Sequence, residues 1–338
     1  MTLPNTTTDE DLVLPFRIEH QEASGRLVRL GPAIDDILAR HAYPDRVSEI
    51  LGQALLLVAM FGSMIKDRQS AMEPSKPGAR PQERFILQTQ SDGAINLIVA
   101  DYVYPGHLRG YARFNEDAVL SLDEKQLAGK LLGKGHLAMT IDRGSETDRY
   151  QGIVSLEDEG AEAGLSGAAN QYFQQSEQLP TFIRLAMAKH FDAMAEKTTD
   201  QPQSWHWRGG ALMIQKLTSV GGHKTSPRSE PPAFPTDGPQ EEEDWNRTHI
   251  ISQSIKDHEL LDPLLSSADL LFRLYHEDGV RIFDPLSIKA ACSCSLSGVE
   301  KMLAGFTRGE RKDMTKEDGK VHITCEFCNR AYEVTPAI

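Results

Sequence analysis

Phe85-Ile86-Leu87-Gln88-Thr89-Gln90-Ser91-Asp92-Gly93-Ala94-Ile95-Asn96-Leu97-Ile98-Val99-Ala100-Asp101-Tyr102 decides the fold class. Its halves, Phe85–Gln90 and Ile95–Tyr102, are rich in branched and aromatic residues, and Ser91-Asp92-Gly93 between them has the composition of a hairpin turn. Leu108–Phe114, His136–Asp142 and Tyr150–Leu156 read as further strands. Upstream, Val47, Ile50, Leu51, Ala54, Leu55 and Val58 recur at helical spacing within Pro44–Lys66. Pro44 suits a first helical turn, and a shorter helix is expected at Asp35–His41. Helices return at about 161–175 and 180–195, followed by a last short strand, Ala211–Leu217, behind Gly209-Gly210. Strands grouped with strands and helices with helices specify α+β rather than an alternating βαβ fold.

Outward from this stretch the chain divides into four parts. Residues 1–15 read as a disordered lead-in, and 16–217 as an α+β domain of mixed sheet and helix with a loop at 67–83. Composition changes at 218. Pro, Gly and the acidic run Glu241–Asp244 mark 218–244 as a flexible tract. Helical patterns resume at Thr248–Leu260 and Ser267–Glu277, so 218–291 reads as a flexible, metastable helical linker. Residues 292–338 form a small last domain with a helix near Ser297–Phe306 and strands at about 320–324 and 330–334. A module of that size with few large apolar groups needs a staple to fold.

The chain has 338 residues and a formal net charge of -13, which disfavours nucleic-acid backbones and anionic membranes as partners. The longest apolar stretch, Ala54–Phe61, is far below the roughly 20 residues that span a bilayer. No secretory leader is visible, so a cytoplasmic protein is expected, where paired cysteines are more often metal ligands or redox-active thiols than structural disulfides.

All four cysteines lie in this last domain, as Cys292-Ser293-Cys294 and Cys325-Glu326-Phe327-Cys328. Thiolates are soft donors, and four of them suit one tetrahedral zinc ion. Other readings stand beside this one: a buried inert set of cysteines, a purely structural zinc knuckle, or His322 in place of one sulfur. Zinc-bound thiolates remain open to oxidants. Metal binding in small zinc modules is worth roughly 10–16 kcal/mol, so its loss should unfold the domain.

These residues resemble the redox-regulated bacterial heat-shock chaperones of the 33 kDa chaperonin family. The likeness rests on the cysteine spacing continued by Asn329-Arg330-Ala331-Tyr332, and on the run Tyr172-Phe173-Gln174-Gln175-Ser176-Glu177-Gln178-Leu179-Pro180-Thr181. Leu108–Arg113, Tyr150–Val154, His41–Pro44 and Leu274-Tyr275-His276-Glu277 are similar as well. The resemblance implies an ATP-independent holdase, not an enzyme and without catalytic residues. It would be off when reduced and zinc-bound and would bind unfolding client proteins under oxidative stress. It further implies that oxidation links Cys292 to Cys294 and Cys325 to Cys328, releases zinc, unfolds the linker and zinc domain, and favours a homodimer. Gln53 and Ala94 depart from the family pattern, and 67–83 and 218–244 look like insertions. From different classes, a structural zinc-knuckle adaptor and a thiol–disulfide oxidoreductase using Cys325 and Cys328 are the alternatives.

The remaining motifs read as structural. Ser176-Glu177 has no histidine partner by spacing, and Pro180 reads as helix punctuation. His41 reads as a cap or core residue. Arg109 and Arg113 fall on one strand face and suggest an ion pair. The stripe Leu270, Leu271, Leu274 and Tyr275 reads either as permanent core or as cover for a client surface. No phosphate-binding glycine loop is present.

Overall fold

The computed structural model describes residues 9–65, 83–122, 128–143, 149–157, 164–173, 179–191, 205–217 and 239–336. Its centre is α2 (Asp45–Gly62), which starts after Pro44 as N-cap and is buried on nearly every side. A helix apolar all round must be enclosed, and two sheets enclose it. On one side α2 touches the second sheet, through β3 (Arg84–Ser91), β4 (Ile95–Val103) and β5 (His107–Phe114). On the other it touches the first sheet, through β2 (Ala23–Leu30), β8 (Thr181–Phe191) and β9 (Trp205–Lys216).

Among the described residues, the first sheet runs β10-β1-β2-β9-β8, with β1 at Leu12–Ile18 and β10 at Val280–Ile282; β11 (Leu286–Ser287) also pairs with β1. The second runs β12-β5-β4-β3-β6-β7, adding β6 (Gly135–Asp142), β7 (Arg149–Ser155) and β12 (Lys289–Ala290). Its ladders are antiparallel except for β12 on β5. Shorter helices α1 (Pro32–Ala39), α3 (Glu116–Ser121), α4 (Ala128–Leu132) and α5 (Leu165–Tyr172) complete this part. In the turn before β5, Gly106 has φ +147°, and a side chain there would strike the Ser287 carbonyl on the crossing strand. The strap that leads to the cysteines therefore needs glycine at this point.

The α+β class and the central hairpin are as the sequence predicts, but several elements differ. Residues 181–191, expected within a helix at 180–195, form strand β8, paired along its length with β9. Ile183, Leu185 and Met187 join the core around α2, whereas Phe182 and Ala186 join a second core on the opposite face. With both faces apolar, the polar alternation that announces a strand is missing, and Leu, Ala and Met have the propensity of a helix. The ladder with β9 overrides that propensity.

The same cause explains β1 and β2, which local patterning left unassigned. The lead-in 1–15 is ordered from residue 9 onward. Leu12–Pro15 belong to β1, between β2 and β10, and the acids before them are all engaged. Asp9 pairs with Arg29 at 3.6 Å, Glu10 with Arg208 at 2.5 Å, and Asp11 accepts from the Gly31 and Ala33 amides at the start of α1. Residues 1–8, most of the 67–83 loop, Gln174–Gln178 and 218–238 lie outside the described residues.

From Pro239 the linker is helical, but not only helical. Helix α6 (Pro239–Gln253) takes in the acidic run 241–244, where carboxylates favour a helix N-terminus. The helix expected over 248–260 is interrupted, with α7 (Asp257–Leu261) separate. Helix α8 (Ser267–Tyr275) follows, and then β10, β11 and β12 join the two sheets. Leu260, Leu270, Leu271 and Tyr275 cover Phe16, Leu27, Leu212 and Ile214 on the outer face of the first sheet. The Leu270–Tyr275 stripe is thus packed. Tyr275 shares a hydrogen bond of 2.8 Å with Ser252 of α6 and stacks on Phe16 at 5.8 Å.

Arg29 of β2, only 3% exposed, fastens this cover. It donates to the carbonyls of Glu259 (3.0 Å) and Asp262 (3.1 Å), and to that of Leu265. Arg29→Ala leaves these carbonyls without their donor, an expected loss of about 3 kcal/mol. Amide exchange over 257–275 should then rise more than in the β3–β4 hairpin. Equal protection in variant and wild type would show that Arg29 is not the fastener.

Candidate metal centre

The cysteines lie in a small unit built on the end of the strap. Ser295 caps α9 (Leu296–Ala304), its hydroxyl accepting from the Gly298 amide at 3.1 Å. Helix α10 (Arg308–Met314), absent from the sequence expectation, starts with a Thr307–Glu310 capping box. Strands β13 (Val321–Thr324) and β14 (Ala331–Val334) pair as a hairpin. Its turn is closed by Cys325 N–H to the Arg330 carbonyl (2.9 Å) and Asn329 N–H to the Cys325 carbonyl (2.8 Å), with Asn329 at φ +57°. Leu303, Val321 and Val334 are the buried core of this unit. That is too little apolar surface to hold some forty residues without a staple.

The staple is the thiol cluster. All four Sγ atoms lie within 4.8 Å of one another. Cys292 and Cys325 are 3.7 Å apart, and Cys294 and Cys328 are 3.3 Å apart. Zinc–thiolate bonds of about 2.3 Å at tetrahedral angles give sulfur–sulfur edges of about 3.8 Å. The spacing therefore fits a tetrahedral metal site, and all four cysteines are free rather than bonded in pairs. Among the described residues the four thiols form the group that could hold a metal ion, and His322 is not in it; its ring pairs with Asp318 at 2.6 Å. Soft sulfur donors without an oxygen ligand favour zinc over a hard cation.

The four thiols are not equivalent. Burial pushes Cys294 upward, but the hydroxyl of Tyr332, donating to its sulfur at 3.1 Å, and the Cys328 thiol outweigh burial and hold it at about 7. Burial, followed by the neighbouring thiols, pushes Cys328 up to about 12. Burial also raises Cys292. A cation binding all four must displace the protons that remain.

The cluster faces the second sheet. Strand β12 lies parallel to β5, and the Ala291 amide donates to the Leu108 carbonyl at 2.9 Å. Arg109 forms the expected ion pair, with Asp101 at 2.6 Å. It also reaches Ser293 Oγ at 3.0 Å, and its guanidinium lies 4.1 Å from the centre of the Phe327 ring. Tyr111 meets the same ring edge-on at 4.9 Å. His41 rests against Tyr43, with ring centres 5.0 Å apart, and belongs to no metal-ligating group. Ser176 and Glu177 lie outside the described residues. The roles of Tyr332, Phe327 and Ser293 had no signal of their own in the sequence beyond adjacency to the cysteines. Cys325 and Cys328 lie in the turn between two strands, not at the helix start that a dithiol oxidoreductase uses.

A family model described as Hsp33 protein matches residues 11–335. The chain is 36% identical over 336 residues to a 33 kDa chaperonin of Caulobacter vibrioides, covering 98% of this chain and 97% of that one. It is 33% identical to a 33 kDa chaperonin of Nitrosococcus oceani, covering 94% and 89%. In fold it is similar to the crystal structure of the 33 kDa chaperonin of Thermotoga maritima, with a TM-score of 0.67 and 18% identity over 96% of this chain and 94% of that chain. Among the described residues, no helix is long and apolar enough to cross a membrane.

Tyr332→Phe removes one hydrogen bond from the Cys294 sulfur and leaves its four-thiol set intact. Loss of such an outer-shell donor is expected to weaken zinc binding about 10–100-fold. Competition with a chromophoric chelator reads this directly, and unchanged affinity would remove Tyr332 from the site.

Proposed function

The chain belongs to the Hsp33 family, and on that premise we propose that it is a redox-regulated, ATP-independent holdase for unfolding proteins. In the reduced state Cys292, Cys294, Cys325 and Cys328 hold one zinc ion, and the protein is inactive. The observation that carries this reading is the pairing of a four-thiol cluster at tetrahedral spacing with a unit whose own core is three buried residues. Such a unit folds with its metal and unfolds without it. The bound ion supplies the cross-link; the chain supplies everything that responds to its loss.

Oxidation acts on the sulfurs. Two thiolates give up two electrons to a peroxide, which takes two protons and leaves as two waters, and an S–S bond forms between them. Disulfides 292–294 and 325–328 follow the family pattern and are formed within each sequence-adjacent pair, so no link between the two halves of the unit survives. The neutral sulfurs no longer hold a cation. With the unit unfolded, the strap through β12 loses its anchor, and α6–α8 lose the end that fixes them.

The surface that those helices leave is the outer face of the first sheet, with Phe16, Leu27, Leu212 and Ile214. Exposed apolar area of this kind holds extended, partly folded chains and favours self-association. The proposal therefore includes a homodimer in the oxidised state and a cytoplasmic location, where thiols rest reduced.

A thermally unfolding client protein tests the reading. Reduced, zinc-loaded protein should leave its aggregation unchanged, whereas protein treated with peroxide at mild heat, or with hypochlorous acid, should suppress it at near-stoichiometric ratios. Zinc release and loss of far-UV ellipticity should run together over the oxidant dose. Equal suppression by both forms would rule out the switch.

A further inference from the structure

We propose that Arg109 is the positioning residue that docks the metal unit on the second sheet, and that it grips both ligand pairs at once. The inference rests on the zinc reading above. Ser293 is the residue between Cys292 and Cys294, and Phe327 lies between Cys325 and Cys328. One guanidinium touches both. Its Nη1 donates to Ser293 Oγ at 3.0 Å, and its carbon stands 4.1 Å from the Phe327 ring centre.

The grip is set before the unit arrives. Asp101 is the cross-strand partner of Arg109 in the β4–β5 ladder. Its buried carboxylate accepts from Nε at 2.8 Å and from Nη2 at 2.6 Å, which fixes the plane of the guanidinium. One edge is thereby committed to Asp101, leaving Nη1 and one flat face for the incoming unit. Tyr111, two residues along the same strand face, closes on the Phe327 ring from the side at 4.9 Å. Beyond the backbone pairing of the strap with β5, the further side-chain tie from Asn329 Nδ2 to the Arg40 carbonyl at 3.3 Å is exposed.

Neither half of this contact is strong alone. One is a cation–π contact at a partly exposed site and the other a single hydrogen bond from a charged donor. They add only while the two cysteine pairs are held together, since Ser293 and Phe327 sit on separate halves of the unit. Arg109 thus reads whether the thiolates are joined. Parting the pairs converts one two-handed contact into two weak ones.

The test uses full-length, reduced, zinc-loaded protein, and the readout is amide exchange in 289–296 and 325–330. Arg109→Gln and Phe327→Leu should each accelerate exchange in both segments, by about tenfold, while zinc remains bound and the β3–β4 hairpin stays protected. The double variant should add little to either single one. Arg109→Lys should not rescue, because an ammonium cannot bind Asp101 in a plane and present a flat face to a ring. Unchanged exchange in Arg109→Gln, or acceleration confined to one segment, would overturn the proposal. Should Arg109→Gln fail to fold with Asp101 buried and unpaired, Phe327→Leu decides by the same criterion, because its change lies outside the sheet. No oxidant is used, so failure of the redox switch in the client assay leaves this measurement standing.

Discussion

The first sheet is apolar on both faces, and the rest of the molecule is arranged to keep those faces dry. Val28, Ala211 and Met213 look inward to α2, while Leu27, Leu212 and Ile214 look outward from the same strands. Leaving such side chains in water costs roughly 1.5–3 kcal/mol for each large one. The inner face is closed by an 18-residue helix held between the two sheets. The outer face is closed by three short helices that arrive from the far end of the chain.

That difference between the two covers is where regulation can enter. Helices of five and nine residues, such as α7 and α8, are not stable in isolation. They persist because Leu260, Leu270, Leu271 and Tyr275 are buried and because Arg29 satisfies the carbonyls between them. The chain then crosses from the first sheet to the second through β10, β11 and β12 before it reaches Cys292. Cover, strap and thiol cluster are mechanically in series. The cluster adjoins β5 rather than the covered face, so in the proposed switch the sulfurs act on that face without lining it.

Electrostatics follows the same division. Among the described residues the buried charges are all partnered: Arg29 with Asp9 and three carbonyls, Asp101 with Arg109, and Asp278 with Arg247 at 3.0 Å and with Gln21 at 2.9 Å. Arg29 and the Gln21–Asp278 bond tie the first sheet to the segment that moves in the proposed switch, Arg247–Asp278 braces that segment internally, and Asp101–Arg109 lies within the second sheet. A buried ion pair is weak as a source of stability, but it is exacting about position. Arg109 shows this most directly, since Asp101 orients it and the metal unit uses what remains.

Much of this was legible beforehand. The helix at Asp45–Gly62 and the β3–β4 hairpin announce themselves because their apolar residues repeat at the period of the element. The cysteine set was equally plain, because four soft ligands in two close pairs leave little else to do. Among the long strands, local patterning lost β1, β2 and β8, and for one reason. A strand covered on both sides has no polar face, so its alternation disappears and propensity misleads, as Leu185–Ala188 did. Nor was the grip of Arg109 visible, because Ser293 is 184 residues away in sequence. By itself the sequence determined the class of fold, the four-cysteine set and the small unit that carries it, since these rest on residue type and near-neighbour spacing. Only the tertiary structure decided which face the linker covers and which side chain meets the metal unit, because both depend on surfaces that exist only once distant strands have paired.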